Sequence, residues 1–202
     1  MRRVRAFRAT TFAAALDGSP RGALDALLSP PYDVISADQR RELLAAQPQN
    51  SVALDLPILE KGESSGAQYQ RTAKTWSSWR GDGTLVDDAS PHIYLYEERP
   101  PSGRTIRGIF AGIPIGAYGD ETGILRHELT LTGPKADRRA LIEAVQANLS
   151  PVILLRAGGQ DEFASAADAA SKSAPCATGL TPSGSDFTLW RLDPVTQHGA
   201  EL

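Results

Sequence analysis

The chain has 202 residues, 41% of them hydrophobic and 22% charged, an ordinary globular balance for one large domain or two small ones. Its net charge of −3 gives no electrostatic reason to expect a nucleic acid or an anionic membrane as partner. Cys176 is the one cysteine, which excludes an intramolecular disulfide or a thiolate cluster within one chain and makes a reducing, cytoplasmic setting the natural expectation.

The basic N-terminus, with Arg2, Arg3, Arg5 and Arg8 ahead of ATTFAAAL, superficially resembles a signal peptide. Its apolar run is short and broken by two threonines, so residues 3–8 are expected to form an edge strand instead. No stretch approaches the roughly 20 apolar residues of a membrane span. Leu24, Leu27 and Leu28 then recur at helical spacing for about two turns. In SPPYDVIS, 29–36, the two prolines hold the chain extended, and Val34 and Ile35 predict a brief strand or a buried plug. Ser36 and Gln39 have the spacing of a capping box, which starts a helix with Leu43 and Leu44 inward that stops before Pro48.

SVALDL, 51–56, reads as a strand. Tyr69, Ala73 and Trp76, with Trp79 near the same face, predict a helix that ends at Gly81 or Gly83. From 91 to 115 the pattern is a hairpin: HIYLYEER, a PPSG turn, and TIRGIFAGIPI returning. KADRRALIEAVQAN, 135–148, predicts a helix with Leu141, Ala144 and Val145 inward, and PVILLR, 151–156, a buried strand. An alanine-rich helix near 162–171 falls within a partly flexible segment, 157–185, and DFTLWRL reads as a last strand. The expectation is a single α/β or α+β domain over 1–202, a mixed sheet with flanking helices.

The chemistry concentrates in GIFAGIPIGAYGDETGILRHELT, 108–130, and the charged turn after it. If 124–130 is extended, Arg126 and Glu128 share one face and His127 points to the other. A neutral histidine with a carboxylate in reach suits a general base, and an arginine fork suits phosphate or carboxylate. HELTL is not HExxH, because Leu131 stands where the second histidine is needed, so a zincin site is excluded. Lys135, Asp137, Arg138 and Arg139 open a predicted helix. Two readings stand there: Asp137 complements the macrodipole, or the helix start with its Lys and Arg holds an anion. Tyr32 and Asp33 follow the Pro–Pro pair, and Asp33 is equally suited to a preorganised ligand contact and to capping a turn. No GxxxxGK[ST] loop is present.

On RAFRA at 5–9, SPPYDVIS at 29–36, LVDDASPHIYLYE at 85–97, the 108–130 stretch, KADR at 135–138, SPVILL at 150–155 and DFTLWRL at 186–192, the chain resembles the bacterial and archaeal family called domain of unknown function 1015. Leu125 departs from the basic pair usual before the histidine–glutamate. The resemblance implies a protein roughly twice as long, whose later half carries an alanine-aspartate-glycine-histidine-histidine-arginine run similar to the phosphate-handling segment of ParB/sulfiredoxin-like proteins. This chain would then be the N-terminal half alone. The resemblance points to Tyr32, Asp33, His127, Glu128, Lys135, Asp137 and Arg138 and brings no established activity.

Two functions follow as expectations. In the first, the chain is part of a phosphotransferase-like enzyme that uses a nucleotide with Mg²⁺ on a small polar or phosphorylated metabolite. Arg126, Lys135 and Arg138 would hold anionic oxygens, Asp33 or Glu128 would be base or Mg²⁺ ligand, and His127 the alternative base. In the second, it is a non-catalytic anion-binding or interaction module that needs a second chain to supply the missing half.

Overall fold

The two segments with the densest aromatic and β-branched residues lie side by side at the centre of an antiparallel sheet. The computed structural model describes residues 4–15, 22–119, 123–126, 129, 131–155 and 160–192, without the side chains of 160–162. In chain order the regular elements are β1 (Thr10–Phe12), α1 (Ala37–Ala46), α2 (Val52–Asp55), α3 (Ala67–Gly81), β2 (Leu85–Asp87), β3 (Ile93–Arg99), β4 (Ile106–Phe110), α4 (Thr132–Val145), α5 (Gln160–Ala170), β5 (Ala177–Leu180) and β6 (Asp186–Leu192). Short 3₁₀ turns occupy Ala13–Ala15, Asp25–Leu27 and Tyr32–Val34. The main sheet runs β4-β3-β6-β5, and β1 pairs with β2 in a separate two-stranded ribbon. Among the described residues every strand pairing is antiparallel, so the α+β form of the expected fold is the one realised.

Strand alternation explains why the sheet is covered on both sides. Ile93 and Leu95 on β3, with Trp190 and Leu192 on β6, bury one face against Ala167, Ala170 and Phe163 of α5. Tyr96 and Phe187 on the opposite face pack against Leu24, Leu27 and Phe12. A third cluster, Leu54, Trp79 and Leu85 with Trp76 and Leu149, joins α2 and α3 to the ribbon. Full burial of a Leu or Ile side chain is worth about 1.5–3 kcal/mol, so these clusters carry the fold.

The capping box is formed: Gln39 N–H donates to Ser36 Oγ at 3.2 Å and Ser36 N–H to Gln39 Oε1 at 2.9 Å. The 91–115 hairpin appears as β3 and β4, and the last strand as β6. The helices expected near 67–81 and 162–171 appear as α3 and α5. The one expected at 135–148 appears as α4 but begins three residues earlier, so Asp137 lies beyond its first turn and does not complement the macrodipole there.

Other local expectations are corrected. Residues 52–55 are helical rather than a strand. Asn50, only 1% exposed, causes this: its Nδ2 donates to the carbonyls of Ala26 and Leu28, and its Oδ1 accepts Val52 N–H. Tyr32–Val34 forms a 3₁₀ turn, and Val34 is 63% exposed rather than a plug. The N-terminal pairing is reduced to bridges at Arg5–Gly112 and Phe7–His92 before β1 begins. Residues 151–155 are irregular rather than a buried strand, with Val152, Ile153 and Leu155 each more than three-quarters exposed. Leu43 and Leu44 are only half-buried, and the deepest side chain of α1 is Arg40.

Candidate functional site

Pro31, with φ −54° and ψ 140°, feeds the 3₁₀ turn that presents Tyr32. The Tyr32 ring lies under the guanidinium of Arg138, 4.0 Å from its carbon, although the two residues are over a hundred positions apart. A cation over an aromatic face at this range is attracted by the ring quadrupole. Arg138 sits on the second turn of α4 and makes four hydrogen bonds. Its Nε and Nη2 donate to Asp137 Oδ2 at 2.9 and 2.6 Å, and its Nη1 to the backbone oxygen and Oδ1 of Asp55 at 2.7 and 3.1 Å.

Both carboxylates are held from a second side. Tyr69 O–H, on α3, donates to Asp137 Oδ1 at 2.7 Å. That hydrogen bond is the main reason the Tyr69 hydroxyl is pushed above its ordinary pKa, since ionising it would place two negative charges together. Ser150 Oγ donates to Asp55 Oδ1. The cluster thus ties the Tyr32 turn, α2, α3, α4 and the chain after α4 into one clasp. Its side chains are partly shielded, with Arg138 18% and Asp55 20% exposed.

This arrangement brings Tyr32, Asp137 and Arg138 together, but four of the five guanidinium N–H donors of Arg138 are already satisfied within the protein. Asp33 follows Tyr32 in the 3₁₀ turn and Lys135 precedes Arg138 on α4 by three residues; both are exposed, and among the described residues neither side chain has a hydrogen-bond or ion-pair partner. Arg126 lies apart: its guanidinium packs over the Tyr118 ring at 5.0 Å, and no contact among the described residues joins it to the clasp. His127 and Glu128 lie outside the described residues. Among the described residues, no group of three or more His, Cys, Asp or Glu side chains is placed to hold a metal ion.

Three members of the clasp escaped the sequence reading. Asp55 lies in a segment that reads as a strand, Tyr69 reads as part of an apolar helix face, and Ser150 opens the SPVILL piece of the family resemblance without being marked there as a site residue. The one available signal for Asp55 was a carboxylate at the end of a short run beginning with Ser51, and it does not point to Arg138.

A second polar knot is purely internal. Asp88, 7% exposed, accepts Arg191 Nη2 at 2.7 Å and Nε at 3.1 Å and also the Tyr94 hydroxyl. Burial pushes the Asp88 carboxyl up, but the hydrogen bonds from Arg191 and Tyr94 outweigh it and hold the group below the usual range. Burial, then Asp88, raises the Tyr94 hydroxyl. This knot pins the start of β3 to the end of β6.

Helices on an antiparallel sheet, with a tyrosine–arginine clasp at the start of α4, define an α+β protein whose polar corner is largely self-satisfied. The chain belongs to the family described as "Protein of unknown function (DUF1015)", which it matches over residues 4–198. No curated protein and no solved structure matches it.

Proposed function

We propose that the chain is an interaction module that contributes one wall of a site for a small phosphate-bearing or nucleotide-like anion, the other wall coming from a second polypeptide. The observation that carries this reading is the exposure of large apolar side chains on both sides of α4. Ile115, Leu125, Leu129 and Leu131 precede the helix, Val152, Ile153 and Leu155 follow it, and each is more than 70% exposed. Single exposed leucines are ordinary, whereas apolar runs in two segments flanking one helix need a cover. Among the described residues, Lys135 on α4 and Asp33 beside Tyr32 are exposed, unpaired groups able to meet an anion and its counter-ion. A single carboxylate such as Asp33, together with substrate phosphates, is a common way to hold Mg²⁺. A phosphotransferase-like reaction would arise only in the completed site. The reducing setting implied by the lone cysteine favours the cytoplasm, and among the described residues no helix is long and apolar enough to cross a membrane.

The test is the double variant Val152→Asp/Leu155→Asp. If these side chains await a partner, its midpoint stays within about 0.5 kcal/mol of the parent and its binding of an apolar dye falls. A loss of more than about 2 kcal/mol would mean that the segment belongs to the core of this chain, and the reading would be abandoned.

A further inference from the structure

A cavity of about 350 Å³, which shares no lining residue with the Tyr32–Arg138 clasp, is bounded by α1, α2 and α3 and by Pro48 and Glu60 in the connecting segments. Its apolar wall is Leu44, Ala53 and Trp79, and two arginines, Arg40 and Arg71, line it as well. The two cations are treated differently by their surroundings. Arg71 is neutralised by Glu63, which accepts its Nε and Nη2 at 3.2 and 2.7 Å, and by Glu60 at 3.3 Å, and Nη2 also donates to Ile58 O at 3.0 Å. Arg40 is 8% exposed, and the hydrogen bond it makes to the protein runs from Nε to Leu56 O at 2.8 Å. Among the described residues neither of its Nη groups has a hydrogen-bond partner, neither is wholly shut off from solvent, and Arg40 lines the cavity.

A guanidinium that gives up much of its hydration while four N–H donors lack a protein partner is costly, and a ligand anion would relieve that cost. Desolvation, followed by repulsion from Arg71, accordingly lowers the Arg40 pKa, and Glu60 offsets this only in part. The fork geometry of two parallel N–H groups matches a carboxylate or a phosphate oxygen pair. The apolar wall next to it matches a hydrocarbon or aromatic body, and the volume falls in the range of small-molecule pockets.

We propose that this cavity is a binding site for a small amphipathic anion, whose carboxylate or phosphate head pairs with the two Nη groups of Arg40 while its apolar body rests on Leu44, Ala53 and Trp79. The site is separate from the α4 corner and does not depend on the function proposed for that corner. Glu60 and the saturated Arg71 set the specificity: with one unneutralised cation in the cavity, a single carboxylate or phosphate head fits and the polyphosphate chain of a nucleotide does not.

The experiment is calorimetric titration of the full chain with benzoate, phenyl phosphate and inorganic phosphate, with benzamide as the uncharged control, while following the indole N–H resonance of Trp79. Benzoate or phenyl phosphate should bind saturably and shift Trp79, and benzamide should do neither. The stronger of the two identifies the head group, and a response to inorganic phosphate equal to that of phenyl phosphate would overturn the role given to the apolar wall. Arg40→Met should weaken binding at least tenfold, and Arg40→Lys, which keeps the charge but not the fork, should fall between. Because Arg40→Met leaves Leu56 O without a donor, Ala53→Leu provides a second arm: it fills the cavity, keeps Arg40, and should also abolish binding. Equal binding by Arg40→Met or by Ala53→Leu, or no saturable response to any anion from folded protein, would show a cavity that holds only water, and would overturn the proposal.

Discussion

Replacing Arg138 by alanine separates a structural clasp from an open anion receptor. In the clasp, the substitution removes four hydrogen bonds and the cation over Tyr32, and leaves Asp55 and Asp137 without their counter-charge. Charge-assisted hydrogen bonds are worth about 1.5–3 kcal/mol each where buried, and breaking a buried pair costs about 3–5 kcal/mol in all. Arg138 and Asp55 are 18% and 20% exposed, and Asp137 is 37% exposed, so water screens part of the interaction and replaces some of the lost bonds. The expected loss is therefore about 2–4 kcal/mol, or roughly 4–16 °C in melting temperature for a chain of this size. Urea denaturation followed by circular dichroism measures it, with Lys135→Ala, exposed and unpaired, as the control expected to change little. The same loss should be smaller in a Tyr32→Leu background, since the two side chains touch. A cost below about 0.5 kcal/mol would refute the reasoning, and Arg138 would then be a side chain held in reserve for a ligand.

The buried Asp88 predicts an acid limb. Its folded pKa lies below the roughly 3.9 of an unfolded aspartate, so its stabilisation is complete above that value and is lost as pH falls through the folded pKa. Denaturation midpoints measured between pH 6 and pH 2 should fall with a steepness that Asp88→Asn reduces, and an unchanged slope would show that Arg191 gains nothing from the carboxylate's charge. At neutral pH the same substitution should cost about 2–4 kcal/mol, because Arg191 is left facing an amide. Gly179 on β5 is required for a different reason. A Cβ there would lie 2.8 Å from Asp25 Oδ1 and 2.9 Å from the Phe187 ring, so Gly179→Ala should cost about 1–3 kcal/mol by urea denaturation. A neutral effect would mean that the Asp25 turn can withdraw without loss.

Features written within a few residues of themselves were legible in the chain. The Ser36–Gln39 capping box, the 91–115 hairpin and the apolar spacing of α4 all depend on local chemistry, and the structure follows them. Residues 51–56 were not legible, because the bonds that make them helical come from Asn50 reaching back to Ala26 and Leu28. Arg40 is illegible for the same kind of reason: the periodicity of α1 marks Leu43 and Leu44, while the buried cation is set by Leu56 O on another element. At the α4 corner, the family resemblance points to Tyr32, Asp137 and Arg138 one by one, and the structure brings the three together through Asp55 and Tyr69, which no motif marks. Residues 151–155 have the composition of a buried strand but are exposed and pair with none of the described strands, so propensity and environment disagree there.

The shortest helix has the widest reach. Within two residues at the end of α2, the backbone oxygen of Asp55 takes Arg138 of α4 and that of Leu56 takes Arg40 of α1. The main-chain phase of 50–56 therefore sets where both helices attach. One added or deleted residue there would rotate α2 by about 100° and detach both arginines at once. The exposed turn at 101–105, between β3 and β4, has no such duty. Lengthening the chain is thus tolerated at one place and forbidden at the other, for a reason that side-chain substitution at 50–56 would not reveal: the oxygens belong to the backbone.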